Sequence, residues 1–230
     1  IKKTKGPPKV NPRRNYVFLD MDGTLVDSLQ PLYDLYISFL ADRGREGTRD
    51  EFAVLNGPSF PEIVLYLKKT HSLEEAEEQL LAAYNERLEA VYAEKVAPRQ
   101  GASEALEELK KRGFGLMLVT STRVGLVNPL LKRTGWGDLL DGAITGDLVV
   151  KAKPSPEIYK LAIAKSGTSP DKIVAVEDSP NGVRAAYGAG LCVIGLPIDS
   201  PAEELFQAGA AHSIDSLFDL PDMAHRILQQ

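Results

Sequence analysis

Four acids in two short runs are the residues of this sequence whose types and spacing could do chemistry. Asp20 and Asp22 stand in Asp20-Met21-Asp22-Gly23-Thr24, and Glu177 and Asp178 stand in Glu177-Asp178-Ser179. Thr120-Ser121 closes another apolar run, and Lys151 and Lys153 precede Pro154. Brought to one place without compensation, the four carboxylates would repel and raise one another's pKa. A hard divalent cation resolves that conflict, and Mg²⁺ commonly takes one or two carboxylates, water and an anionic oxygen. A lysine and a hydroxyl beside such a cation suit phosphoryl oxygens. The first run is not followed by G-x-G-x-x-G, which removes the usual dinucleotide reading.

The elements that must position these groups are legible in outline. Residues 15–20 form an apolar run ending in an acid before Gly23, a strand followed by a turn. Apolar residues at 32, 35, 36, 39 and 40 recur with a helical period, and 60–70 and 73–93 also read as helices. From about 28 to 95 the chain is expected to be helix and loop alone. Beyond 95 the pattern alternates: helix 101–112, strand 114–120, helix 123–133, a short apolar segment at 142–145, helix 155–166, strand 173–177, helix 180–189 and strand 191–195. A helix near 201–208, a brief strand at 212–214 and a terminal helix follow. This alternation predicts an α/β fold, a doubly wound Rossmann-like parallel sheet with right-handed crossovers. The expected organisation is a catalytic core at 15–27 and 96–230, with an all-helical cap at 28–95 inserted after the first strand. In such sheets ligands bind beyond the carboxyl ends of the strands, where the acids, Thr120 and the lysines fall.

The 230 residues, 43% hydrophobic and 26% charged, match ordinary globular usage and can supply a sizeable core. Cys192 is the sole cysteine, so an internal disulfide and a cysteine-built zinc site are excluded; it reads as a core residue of its strand. No apolar run approaches the ~20 residues of a membrane span. The start lacks the apolar stretch of a secretory signal, so a cytoplasmic location and no membrane partner are expected. The formal net charge is −5, but Lys2, Lys3, Lys5, Lys9, Arg13 and Arg14 are concentrated at the beginning. Residues 1–14 therefore read as a basic, disordered tail on an acidic body, and an acidic body argues against a nucleic-acid partner. A monomer or weak dimer is expected.

Four segments together carry a resemblance: FLDMDGTLVDS at 18–28, LVTST at 118–122, KAKPSPEIY at 151–159 and VEDSPNGVRAAYGAG at 176–190. In this order they resemble the haloacid dehalogenase superfamily, in the helical-cap subgroup of the phosphoglycolate phosphatase and β-phosphoglucomutase kind. The resemblance covers about 15 to 200 and implies roles. Asp20 would attack phosphorus and form an aspartyl phosphate. Asp22 would protonate the leaving oxygen and then activate water. Thr120 would hydrogen-bond a phosphoryl oxygen, and Lys153 would neutralise charge on Asp20 and the phosphoryl group. Mg²⁺ would be held by Asp20, the backbone carbonyl of Asp22, Glu177 and Asp178. Gly23 permits the tight turn at which backbone N–H groups can meet phosphate, and Ser121 is a further substrate-binding candidate. His71, His212 and His225 lie outside the matching segments and are expected to be non-catalytic.

The expected activity is Mg²⁺-dependent hydrolysis of a small phosphorylated metabolite of the phosphoglycolate or sugar-phosphate type. The alternatives are a phosphomutase of the β-phosphoglucomutase type and a non-catalytic binding module. A dehalogenase is disfavoured because Asp22 is present. The cap is expected to move about Val26–Gln30 and Glu94–Pro98 and to choose the leaving group. Its loop at Asn56-Gly57-Pro58-Ser59 is the expected selector, with Gly57 and Ser59 as substrate-binding residues. Lys68 and Lys69 are candidates for an acidic leaving group, although a solvated helix face explains them as well.

Overall fold

Four consecutive apolar residues, Tyr16–Leu19, are buried on both faces, as a central strand of a covered parallel sheet requires. The computed structural model describes residues 14–55, 58 and 60–229. Tyr16–Leu19 is β1, and the chain continues through β2 (Val26–Asp27), α1 (Leu29–Ala41), α2 (Arg49–Val54), α3 (Phe60–Thr70), α4 (Glu77–Glu94) and β3 (Ala97–Pro98). It then alternates: α5 (Ala102–Lys111), β4 (Gly115–Val119), α6 (Val124–Thr134), β5 (Gly142–Ile144), α7 (Glu157–Ser166), β6 (Ile173–Glu177), α8 (Pro180–Gly188) and β7 (Cys192–Gly195). α9 (Ala202–Ala208), β8 (His212–Ser213) and α10 (Leu220–Leu228) close it.

The main sheet has the order β5-β4-β1-β6-β7-β8, and every pairing is parallel. The chain runs outward from β1 through β4 to β5, then returns to the other side of β1 and runs outward again. The order therefore reverses beside β1, which is where doubly wound sheets open a crevice. The side chains of β1 alternate between two cores. Val17 and Leu19 join a cluster with Leu106 and Leu109 of α5, Leu126 of α6 and Ala224 of α10. Tyr16 and Phe18 join a second cluster with Ile158 and Tyr159 of α7, Val183 and Ala186 of α8 and Leu205 of α9. The predicted α/β fold with helices on both faces is the observed one.

The first cluster extends into the helices between β1 and β4: Tyr36 and Phe39 of α1, Phe52 of α2, Leu67 of α3 and Leu80 and Tyr84 of α4. Two details here differ from expectation. The helix expected from 73 begins at Glu77, because α3 ends in a turn. Ser72 adopts φ 50°, Leu73 N–H bonds back to Lys68 O at 3.0 Å, and the Lys68 ammonium donates to the carbonyls of Leu73 and Glu75. Lys68 is therefore engaged at a helix end. A short antiparallel ribbon was also not expected: β2 pairs with β3, Val26 opposite Pro98 and Asp27 opposite Ala97. It ties the two connections of the helical segment side by side. Gly57 and Ser59 lie outside the described residues, as do residues 1–13. Among the described residues, no helix is long and apolar enough to cross a membrane.

Candidate active site

The parallel register fixes which residues share the sheet edge. Leu19 is opposite both Leu118 of β4 and Val176 of β6, so the next residues, Asp20, Val119-Thr120 and Glu177-Asp178, emerge side by side. Asp20 N–H bonds to Val176 O at 3.1 Å, holding the strand end straight through the aspartate. The chain then folds over itself: Leu25 and Val26 N–H groups both bond to Met21 O, and Gly23 N–H bonds to Val26 O. Gly23 has φ 85°, and a Cβ there would lie 2.1 Å from Asp178 Oδ2. The turn is thus pressed onto the β6 edge and admits only glycine. Gly182 plays the matching part on α8, where a Cβ would lie 1.8 Å from Glu177 Oε2.

Carboxylate oxygens of Asp20, Glu177 and Asp178 lie within 4.8 Å of one another, and all three residues are buried. Lys153, at the end of the long β5–α7 connection, supplies the counter-charge. Its Nζ donates to Asp20 Oδ1 and Glu177 Oε1 at 2.6 Å each and to Val119 O at 3.2 Å. Tyr159 of α7 donates to the same Glu177 oxygen, and Thr24 Oγ1 donates to Asp178 Oδ1 at 3.0 Å. Burial favours a neutral amine at Lys153, but the Asp20 and Glu177 carboxylates outweigh it and keep the lysine charged. Burial, then the Asp20 charge, push Glu177 up to about 7 and Asp178 well above the ordinary carboxylate range. One lysine therefore does not balance three acids. A set of buried oxygen donors carrying excess negative charge fits a hard divalent cation.

Asp22 is turned away from this trio. Its Oδ1 accepts from Tyr92 of α4 and its Oδ2 from Thr122, both at 2.6 Å. Burial raises its pKa, the Thr122 and Tyr92 hydrogen bonds oppose that, and the Asp20 charge adds to it; the net shift is upward. Thr120, fully buried at the end of β4, accepts the Thr122 N–H at 3.0 Å, which leaves its hydroxyl hydrogen able to donate. Ser121 Oγ is buried with no hydrogen-bond partner. Lys151 is exposed, and its backbone N–H bonds to Glu157. The structure thus brings together Asp20, Asp22, Gly23, Thr120, Lys153, Glu177 and Asp178.

Four contributors have no assigned role in the sequence reading: Thr24, Thr122, Tyr92 and Tyr159. Thr122 sits two residues beyond Thr120 in a segment already singled out, and that period of two was a usable signal. Tyr92 and Tyr159 lie among core residues of their helices, and nothing in their spacing separates a core tyrosine from one whose hydroxyl meets a carboxylate.

Beside Asp22 opens a cavity of about 510 Å³ between the helical segment and the sheet edge. Leu32, Phe52, Phe60, Ile63, Leu88 and Tyr92 line it from the helices, and Pro58 lies in the same wall. Ser121, Thr122, Arg123, Val149 and Val150 line it from the core. Asp22 is the member of the acidic set that faces this space.

A parallel doubly wound sheet with an aspartate beyond its central strand, a lysine-bridged acidic trio and a second aspartate under a helical insert can hold a hard cation beside a buried carboxylate. The chain belongs to the haloacid dehalogenase-like hydrolases, whose family profile matches residues 17–196. It is 38% identical over 148 residues to the protein CbbY of Cereibacter sphaeroides, covering 62% of this chain and 63% of that one. This alignment therefore spans a little under two thirds of that relative. A phosphorylated carbohydrates phosphatase of Thermotoga maritima is 32% identical over 176 residues, covering 76% of this chain and 81% of that one. Among solved structures, CbbY from Rhodobacter sphaeroides in complex with xylulose-(1,5)bisphosphate superposes with TM-score 0.79 at 30% identity, covering 90% of this chain and 96% of that one.

Proposed function

We propose that this protein hydrolyses a small phosphomonoester through a phosphoryl-Asp20 intermediate, with Mg²⁺ as cofactor. The observation that carries this reading is the division of labour between two aspartates. Asp20 lies in the lysine-bridged acidic trio, whereas Asp22, with its pKa raised, faces the cavity in which a leaving group fits. A carboxylate of the first kind suits nucleophilic attack, and one of the second kind suits proton transfer.

In the first step an Asp20 oxygen bonds to phosphorus, the ester P–O bond breaks, and the Asp22 proton passes to the leaving oxygen. In the second step Asp22, now a carboxylate, takes a proton from water. That water attacks phosphorus, inorganic phosphate departs, and Asp20 is regenerated. Lys153 holds Asp20 in place and offsets charge on the phosphoryl group. Thr120 would donate its hydroxyl hydrogen to a phosphoryl oxygen, whereas the Gly23, Leu25 and Val26 N–H groups are engaged within the turn. Asp20, Glu177, Asp178 and the Asp22 carbonyl would hold Mg²⁺, which when bound neutralises phosphoryl charge and fixes the phosphate against the nucleophile.

The relatives' names bring phosphorylated carbohydrates into view as substrates, and the resemblance of the motifs brings phosphoglycolate. A mutase would return the phosphoryl group to substrate and must accommodate a bisphosphate. The described lining of the cavity offers a second phosphate one cation, Arg123, which supports hydrolysis as the reading. The test is release of inorganic phosphate from a panel of phosphomonoesters. Release is expected to require a divalent ion and to fall at least ~10³-fold in Asp20→Asn. Full activity in excess chelator, or more than a tenth of activity in Asp20→Asn, overturns it.

A further inference from the structure

The cavity beside Asp22 has a chemistry of its own. Its walls from α1, α2, α3 and α4 are mostly apolar, Tyr84 and Tyr92 adding hydroxyls, and Val149 and Val150 continue that surface onto the core. Val150 is 92% exposed, and Phe60 is half-buried, so apolar surface stands bare at the rim. The acidic and basic side chains among the described lining residues are Asp22, Asp147 and Arg123. Asp147 accepts the Val124 N–H and its pKa is lowered, burial being outweighed by that bond and its neighbours, so it stays anionic. Arg123 Nη2 lies 3.6 Å from Glu89, and its guanidinium stands 5.2 Å from the Phe60 ring centroid. Lys68, one of the two lysines the sequence offered for an acidic leaving group, is bound to the Leu73 and Glu75 carbonyls.

We propose that this cavity receives the uncharged, largely apolar body of the substrate's leaving group, an alicyclic or aromatic alcohol. The proposal rests on the hydrolase reading above and narrows its substrate class. A leaving group carrying a carboxylate or a second phosphate would enter a space whose one guanidinium already faces Glu89 and Asp147. Desolvating an anion there is unfavourable. An apolar body instead removes bare surface of Leu32, Phe60 and Ile63 from water. The volume falls within the range of pockets that enclose a small organic molecule. Ser121 Oγ and Arg123 Nε and Nη2 make no hydrogen bond within the protein, which leaves donors for one or two neutral oxygens on that body. Recognition is then by shape and apolar contact at the insert, with phosphate recognition confined to the sheet edge.

The experiment compares primary alkyl esters, whose leaving groups are similar in basicity: cyclohexylmethyl phosphate, 2-phosphoglycolate and fructose 1,6-bisphosphate. kcat/KM for cyclohexylmethyl phosphate is expected to exceed that for the other two by about tenfold or more. Ile63→Lys and Leu32→Lys, at half-buried positions on separate helices, are expected to shrink that ratio about tenfold; melting temperatures show which variant remains folded. Calorimetry on Asp20→Asn adds a readout independent of turnover. Binding of cyclohexylmethyl phosphate should carry a negative heat-capacity change that 2-phosphoglycolate lacks. Faster hydrolysis or tighter binding of either anionic-leaving-group ester overturns the proposal. If no ester releases phosphate, the hydrolase reading fails. The calorimetric ranking then decides the cavity's preference by itself.

Discussion

In the proposed mechanism Asp22 is the residue on which the two half-reactions turn. Its carboxyl must hold a proton when the ester bond breaks and lack one when water attacks. Burial raises its pKa while Tyr92 and Thr122 stabilise its anion, so both forms have support. Replacing Asp22 by Asn keeps the shape and removes the proton traffic. An ester with a good leaving group, p-nitrophenyl phosphate, needs no proton to depart, but the second step still needs a base. Asp22→Asn is therefore expected to give a burst of about one equivalent of p-nitrophenolate and then a rate lowered by roughly 10²–10⁴-fold. Rapid-mixing absorbance measurements read both phases. Unchanged steady-state turnover would remove Asp22 from the mechanism.

At the scale of elements, the turn after β1 is held against the start of α8 by steric fit. Gly23 is in the left-handed region, and any Cβ would drive into the Asp178 carboxylate. Ser179 caps α8 by accepting the Gly182 N–H at 3.1 Å, so Asp178 and the helix cannot retreat without loss of the cap. Gly23→Ala is therefore expected to destabilise the protein by about 1–3 kcal/mol, combining backbone strain with overpacking. It should also weaken Mg²⁺ binding, because Asp178 must move. Urea denaturation and metal titration of the same variant check both. Normal metal affinity in Gly23→Ala would mean that the turn and the acidic trio are independent.

For the whole molecule, the excess of buried acid couples folding to pH and to metal. Glu177 rises to about 7 in the folded protein from an ordinary carboxylate value, and Asp178 and Asp22 also rise. The folded state thus binds more protons than the unfolded chain between about pH 4.5 and 7. Stability of the metal-free protein must then fall as pH rises through that window, by up to about 1.4 kcal/mol per pH unit for Glu177, with Asp178 and Asp22 acting in the same direction. Mg²⁺ should restore more stability at pH 7.5 than at pH 5, because protons and metal compete for one site. Melting curves in chelator and in excess Mg²⁺ across this range test it. A chelated protein equally stable at pH 5 and 7.5 would show that the three carboxyls are not strained by their burial.

The sequence by itself determined the class of fold and most of the sheet-edge chemistry. Alternating apolar runs and helical periods require a covered parallel sheet, and such a sheet presents the residues after its strands along one edge. Asp20, Thr120 and Asp178 follow three strands in that way, so their meeting was legible from the pattern. Lys153 was legible from the pattern only as a residue type in a loop, and its service to Asp20 only through the resemblance that KAKPSPEIY carries. The tertiary structure decided that it reaches across to Asp20 and Glu177, because the path of a long connection depends on packing and not on local preference. The tertiary structure also decided the short ribbon between Val26–Asp27 and Ala97–Pro98, whose partners are far apart in the chain and two residues long. Tyr92 on Asp22, Tyr159 on Glu177 and the apolar cavity under the insert belong to the same group. Each depends on which face of a helix meets which strand end, and periodicity places a residue on a face without saying what that face will touch.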